Sequence, residues 1–259
     1  MKNIFAIASV VLKEMYRRKD FYVLFVLTAL ITLVMGSVNI FNDDKIVRYL
    51  KEICLLLIWV SSLVIAITTA ARQIPAERES RTIFPLLAKP VSRNEMVLGK
   101  FLGCWIACAM VLVVFYFFFV VISGAREHLW PVAPYLQALL FHWIFLGIVI
   151  GMVLFGSLVF TAISSNATIC FIVIIGIMLL GGHLNQLAGR MQGISATITA
   201  VVYYVIPHLE FYDLRDWIIH DRGVVAWGPW LIAIAYGLIY SGIFLALACV
   251  AFRKKALTL

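Results

Sequence analysis

The histidines are the first candidates for chemistry in this sequence, because their side chains can bind a metal ion or a haem iron. His142 and His183 lie in apolar runs, where a pair of histidines could hold a haem iron. Isolated histidines at different depths are more typical of core or interface residues, which is the interpretation that we favour. His220 follows Asp213 and Asp216 at helical spacing, and a solvated polar face explains this better than a metal site without a second arm of ligands. The histidines therefore predict no metal or cofactor site on this chain.

The cysteines form the second candidate set of ligands. All five fall within apolar runs, at Cys54, Cys104, Cys108, Cys170 and Cys249. None has zinc-like or paired extracellular spacing. Cys104 and Cys108 share a helix face at i, i+4, but two thiols with neither a histidine nor a second pair make a poor metal site. We interpret all five as small apolar core residues.

Nucleophiles and phosphate-binding loops are the remaining chemistry to consider. The single Gly-Lys pair, Gly99-Lys100, lacks the upstream glycine of a P-loop and is followed by Phe101 instead of Ser or Thr. No serine elbow, HExxH or CxxCH motif is present in the sequence. We predict no catalytic residue, and we expect that this chain does not hydrolyse ATP.

The composition indicates an integral membrane protein. Hydrophobic residues make up 64% of the 259 residues and charged residues 13%, whereas a soluble domain carries about 25% charged residues. The net charge of +8 comes from basic residues that flank apolar runs, where they meet anionic lipid headgroups. This placement argues against a nucleic-acid partner.

Six apolar runs are long enough to cross a bilayer, which needs about 20 helical residues. We expect an all-α membrane protein with spans at 21–41, 53–71, 93–122, 135–163, 167–186 and 229–252. The turn between the fourth and fifth spans is Ser164-Ser165-Asn166. Gly147-x-x-x-Gly151 in the fourth span favours close helix packing, within or between chains. Charged residues are confined to the span ends, so we expect any transport to take its energy from another molecule.

The distribution of basic residues predicts the orientation. With a cytoplasmic N-terminus, fourteen of the Lys and Arg residues fall on the inner side and seven on the outer side. The positive-inside rule then puts both termini and the 72–92 region in the cytoplasm of a multi-pass cell-membrane protein, in the inner or plasma membrane.

Two further segments are expected to lie at the membrane surface. Residues 1–20 place Ser9, Lys13 and Arg17 on one helical stripe and apolar residues on the other, as in an interfacial amphipathic helix. On the outer side, 187–228 contains an apolar run, 194–206, that is too short to span the membrane. We expect it to be re-entrant, and we expect 208–221 to form an amphipathic helix resting on the outer surface as a lid.

A charged, proline-punctuated segment separates the second and third spans. Pro75 suits the first turn of a short helix, and later prolines limit its length. Ser92 and Glu95 have the spacing of a capping box. We therefore predict a helix that starts at Arg93 and continues into the third span without a break.

This segment resembles the signature of ABC-2-type permeases, the membrane subunits of ATP-binding cassette exporters. The matching residues are Glu77, Glu79, Thr82, Leu86, Leu87, Pro90, Ser92, Arg93, Gly99 and Lys100. Arg81 stands where the family usually has glycine, and Pro85 lies inside the short helix. In overall organisation the chain is most similar to stand-alone permeases of the copper-maturation type.

The resemblance implies that 72–92 is a coupling region docked on a separate ATPase. The implied docking residues are Glu77, Arg78, Glu79, Arg81, Thr82, Ile83, Phe84 and Leu87, and the cap to the third span is Ser92 with Glu95. It further implies two nucleotide-binding subunits carrying ATP and magnesium, a second permease copy or paralogue, and a possible extracytoplasmic partner at 187–228. The main alternative is a membrane-anchor or quinone/haem-binding subunit of a redox complex. A lipid-modifying enzyme and an assembly protein are further alternatives, and no residue selects a cargo.

Overall fold

The computed structural model describes residues 2–17, 19–37, 45–79, 92–128, 130–190 and 194–254. Within these ranges the chain is helical and contains no strand, as the composition predicts. The α-helices are α1 (Lys2–Arg17), α2 (Lys19–Ser37), α3 (Lys45–Arg72), α4 (Pro75–Glu79), α5 (Arg93–Glu127), α6 (Val132–Val159), α7 (Ile163–Arg190), α8 (Ile194–Val205), α9 (Arg215–Ile219) and α10 (Trp227–Lys254). A 3₁₀ turn at Leu209–Tyr212 lies between α8 and α9.

Five described helices are long and apolar enough to cross a membrane. These stretches are Val47–Glu77, Arg93–Arg126, Val132–Val159, Ile163–Gly181 and Trp227–Lys254. They correspond to five of the six predicted spans. The first predicted span, 21–41, falls on α2, whose described apolar stretch Tyr22–Val34 is shorter, and the end of that span lies outside the described residues.

Helix α1 packs along the start of α5. Its apolar residues recur at helical spacing, and Ala8, Val11 and Met15 are buried. Two glycines of α5 allow the approach, because a Cβ on Gly99 would lie 2.8 Å from the Ile7 Cβ and one on Gly103 would lie 2.7 Å from the Val11 Cβ. The apolar stripe that we assigned to the membrane surface thus faces another helix of the same chain.

Helix α6 lies at the centre of the bundle. A Cβ on Gly151 would lie 3.1 Å from the Phe244 Cβ of α10, and one on Gly147 would lie 3.3 Å from the Ser241 Oγ. The predicted close packing at these glycines is therefore confirmed, and it occurs within the chain. One turn before Gly147, the rings of Trp143 and Trp105 stack at 4.4 Å, and each indole N–H donates to the other residue's carbonyl.

The turn between the fourth and fifth predicted spans was placed wrongly. The break lies at 160–162, and Ser164-Ser165-Asn166 belongs to the first turn of α7. Asn166 is fully buried, and its side-chain amide donates to the Val153 carbonyl of α6 at 3.1 Å. Its polarity satisfies a neighbouring helix and does not mark an exposed loop.

The segment after α8 also differs from the prediction of one amphipathic helix over 208–221. It consists of the 3₁₀ turn and α9, joined at Asp213. The Asp213 carboxylate accepts from the Arg215 backbone N–H at 3.2 Å, and such a local bond competes with continued helix. The segment is packed into the bundle, since Leu209, Tyr212, Ile218 and Ile219 are buried. We call 208–226 the lid segment. Earlier in the chain, α7 extends to Arg190 and so passes the predicted end of the fifth span at 186.

Candidate functional site

The predicted docking residues fall on and after α4. Helix α4 begins at Pro75, as the proline pattern predicts, and contains Glu77, Arg78 and Glu79. Only the Glu77 side chain is among those that the structure describes. The other predicted docking residues lie outside the described residues, and these are Arg81, Thr82, Ile83, Phe84 and Leu87. Their docking role stays a prediction.

Glu77 makes a buried polar contact with α5. Lys100 Nζ lies 2.6 Å from Glu77 Oε1 and donates to Gln73 Oε1 at 3.2 Å. The Lys100 side chain is 4% exposed and that of Glu77 is 23% exposed. A buried ammonium is costly without an anionic partner, so Glu77 stabilises Lys100. This contact joins α4 and the turn between α3 and α4 to α5.

The start of α5 has the predicted capping box. The Glu95 backbone N–H donates to Ser92 Oγ at 3.2 Å, and the Ser92 N–H donates to Glu95 Oε2 at 2.8 Å. Helix α5 then continues to Glu127 as one element, which confirms the predicted join between the surface segment and the third span. Asn3 of α1 donates to Glu95 Oε1 at 3.5 Å and so connects α1 to the same cap.

Arg93 connects α5 to the end of α10, a contact that sequence reasoning missed. Its guanidinium donates to the carbonyls of Phe252 at 2.9 Å and Arg253 at 3.3 Å. These carbonyls belong to the last turn of α10, where a helix lacks its own donors. Arg253 in turn donates to Asn94 Oδ1 at 3.1 Å. The partners are 159 residues apart, so no local pattern could have revealed the pair.

A second polar cluster lies deep in the bundle around His142. Its Nε2 lies 2.8 Å from Ser62 Oγ and its Nδ1 lies 3.4 Å from the Tyr116 hydroxyl. Ser62 Oγ also donates to the Trp59 carbonyl at 3.0 Å. A Ser62 that donates to Trp59 must accept from Nε2–H, which leaves Nδ1 to accept from Tyr116. Since both ring nitrogens are engaged within the chain, this arrangement argues against His142 as a haem ligand and against Ser62 as an activated nucleophile.

The lid segment carries the candidates Asp213, Asp216 and His220, and Asp213 and His220 make separate contacts. Asp213 binds the Arg215 guanidinium through both oxygens, at 2.8 and 2.6 Å. Burial raises the pKa of Asp213, but hydrogen bonds and the charge of Arg215 outweigh this, so that its pKa is lowered from the usual value. His220 Nδ1 lies 2.9 Å from the Asp216 carbonyl, and both side chains are exposed. Their contacts fit the polar face that we expected.

Two ends of the bundle can now be distinguished. At one end, which we call the island end, α4, the start of α5 and the end of α10 are joined by the Lys100 and Arg93 contacts. The lid end contains the lid segment, the start of α3 and the start of α6, joined by contacts such as Gln137 to Val225. The described parts of the predicted coupling segment, 72–79 and Ser92, and the predicted lid thus lie at opposite ends.

Comparison with protein families decides the class. The model of the ABC-2 family transporter proteins matches residues 4–257. The chain belongs to the ABC-2 transporter family. Comparison with curated proteins gives no match.

As an ABC-2 family member, the chain is a transporter membrane component with several apolar helices. Members of the family usually work with ATP-binding subunits and form dimers. The ABC-2 chain places its capping box and its buried Lys100 contact at the end of the bundle that carries α4.

Proposed function

We propose that this chain is the permease subunit of an ABC exporter, driven by a separate ATPase that docks on 77–87. The observation that carries the proposal is the buried contact of Lys100 with Glu77 and Gln73. It joins the predicted docking segment directly to a long helix that runs to the other end of the bundle. Family membership supports the same role.

The proposed mechanism is mechanical. A displacement of the docked segment would reach α5 through the Lys100 contact and through the continuous helix after Ser92. ATP binding and hydrolysis on the partner would then bias the permease between inward- and outward-facing states. Because Glu77 pairs with Lys100, we propose that it connects α4 to α5 within the chain. We assign the docking surface for the ATPase to the apolar residues Ile83, Phe84 and Leu87.

The proposed assembly contains two permease chains, identical or related, and two nucleotide-binding subunits that carry ATP and magnesium. We place it in the cell membrane with six spans, α2 being the first, and with the island end in the cytoplasm. The 187–228 region is then available to an extracytoplasmic partner.

Co-purification tests the docking claim. Affinity-tagged full-length chain isolated from native membranes should bring with it a P-loop ATPase. Phe84→Asp should remove most of this ATPase, because a charge in an apolar contact is desolvated without a partner. Phe211→Asp makes the same change at an exposed lid-end phenylalanine and should leave the ATPase bound. An ATPase retained equally by both variants would contradict docking at Phe84.

A further inference from the structure

Three buried polar residues lie in line along α3 and the turn that follows it. Lys51, Ser62 and Gln73 are buried and are spaced by eleven residues, which is close to three helical turns. Each contacts a different part of the molecule. Gln73 accepts from Lys100 at the island end, Ser62 contacts His142 in the centre, and Lys51 pairs with Asp221 of the lid segment. At about 1.5 Å per residue, this line of contacts extends over roughly 33 Å.

The contact at the lid end is an ion pair between a buried side chain and an exposed one. Lys51 Nζ lies 2.8 Å from Asp221 Oδ1, and the side chains are 1% and 64% exposed, respectively. Without Asp221 the Lys51 ammonium would lose an anionic partner while remaining buried. Asp221 has φ 48°, in the left-handed region, and Gly223 follows at φ 77°. Non-glycine residues seldom adopt this conformation, so the turn holds the carboxylate over Lys51 at a conformational cost.

Arg215 provides the second charged contact between the lid segment and α3. Its guanidinium lies over the Trp59 ring, 5.3 Å from the ring centroid, while Asp213 binds its other side. Under this pair is a small cavity of about 10 Å³, enough for about one water molecule. Besides Asp213 and Arg215, its lining residues include Tyr116, His142, Tyr212 and Ala138. The lid segment therefore covers a polar recess in the bundle.

The contacts of the lid segment with the other helices are of a different kind. The Tyr212 hydroxyl donates to the Ala233 carbonyl of α10 at 2.8 Å. Gln137 of α6 exchanges two hydrogen bonds with the Val225 backbone, at 3.0 and 2.8 Å. These neutral bonds involve main-chain atoms, whereas both contacts with α3 involve charged side chains. The lid segment is thus bound to α6 and α10 through neutral main-chain hydrogen bonds and to α3 through charged side chains.

We propose that 208–226 is a hinged lid, attached to α6 and α10 and latched on α3 by Lys51–Asp221 and Arg215–Trp59. Movement of α3 relative to α6 separates the latch residues and uncovers the polar recess above His142. The latch follows from the contacts within this chain. That ATP drives its release rests on the proposed function, because α3 leads into α4 at the island end.

Cysteine labelling beneath the lid tests the latch. Ala138→Cys in the full-length chain places a thiol in the lining of the recess, and its modification by a polar maleimide is followed by mass spectrometry, so that the native cysteines remain. Open membrane fragments expose both faces to the reagent. We expect Asp221→Asn to raise the labelling rate about tenfold, within the range typical of coupled sites. Asn tolerates the left-handed conformation, so this variant removes the charge and keeps the turn.

A second variant and a matched control make the result decisive. Lys51→Met removes the latch without leaving a buried charge, so it should fold normally and also speed labelling. Asp216→Asn makes the Asp-to-Asn change at an exposed lid position and should label at the parent rate. If Lys51→Met and Asp221→Asn both label at the parent rate, the latch is wrong.

The role of ATP is tested separately. With the ATPase present, ATP should speed labelling of Ala138→Cys in the otherwise unchanged chain. Fast labelling of both latch variants combined with no response to ATP would support the latch and refute the ATP-driven function.

Discussion

Replacing Glu77 and Lys100 one at a time gives unequal predicted losses of stability. Glu77→Ala leaves the Lys100 ammonium, whose side chain is 4% exposed, with only the Gln73 amide oxygen as a described partner. Breaking a buried pair in this way costs about 3–5 kcal/mol. Because the Glu77 side chain is 23% exposed and water can enter, we expect about 3 kcal/mol. Lys100→Met leaves Glu77, whose side chain is 23% exposed, so its expected cost is smaller, about 1 kcal/mol.

Thermal unfolding of the purified chain measures this difference. For a chain of this size a loss of about 3 kcal/mol lowers Tm by roughly 6–12 °C, whereas Lys100→Met should lower it by a few degrees at most. Glu14→Gln, at an exposed position on α1, provides the control and should have no effect. If Lys100→Met proved as destabilising as Glu77→Ala, the reasoning from unequal burial would be refuted.

Three further outcomes are expected. Ser92→Ala should destabilise the chain by about 1 kcal/mol through loss of the helix cap, measured as a fall in Tm. Gly103→Leu should separate α1 from α5, since the Val11 Cβ already lies 2.7 Å from a Cβ at this position, and proteolysis within 2–17 should become faster. The pKa of Asp213 is lowered in the folded chain, so its stabilisation by Arg215 is complete above the ordinary aspartate range and is lost as the pH falls below about 4. Hydrogen exchange of the lid segment should therefore accelerate at acid pH, and Asp213→Asn should remove this pH dependence.

The features that were predicted correctly depend on neighbours in sequence. The capping box needs only Ser92 and Glu95, and the close packing of α6 needs only Gly147 and Gly151 at i, i+4. Five of the six predicted spans match long apolar helices, because a span is recognised from the length and composition of its apolar run. Local spacing also predicted that α5 would run unbroken from the surface segment.

The features that were missed depend on partners far away in sequence. Asn166 was read as a turn residue, and its burial became apparent only with Val153 of α6 beside it. Lys51 was counted among the outer basic residues, although its partner is Asp221, 170 residues away. A polar side chain near a span end has the same local signature whether it faces water or a buried partner. Hydropathy therefore could not separate the two cases.

Helix α3 ends and helix α5 begins at the island end, but the two helices differ in what they contact at the lid end. Helix α5 is bound at its start by Glu77, Asn3 and the end of α10, and it ends at Glu127 before the sharp turn at His128, where φ is 55°. Helix α3 makes both charged contacts with the lid segment, through Lys51 and Trp59. A push at the island end that moved α5 alone would leave the lid latched. The same push transmitted by α3 would act on the latch directly, because its two contacts lie on the helix that leads into α4.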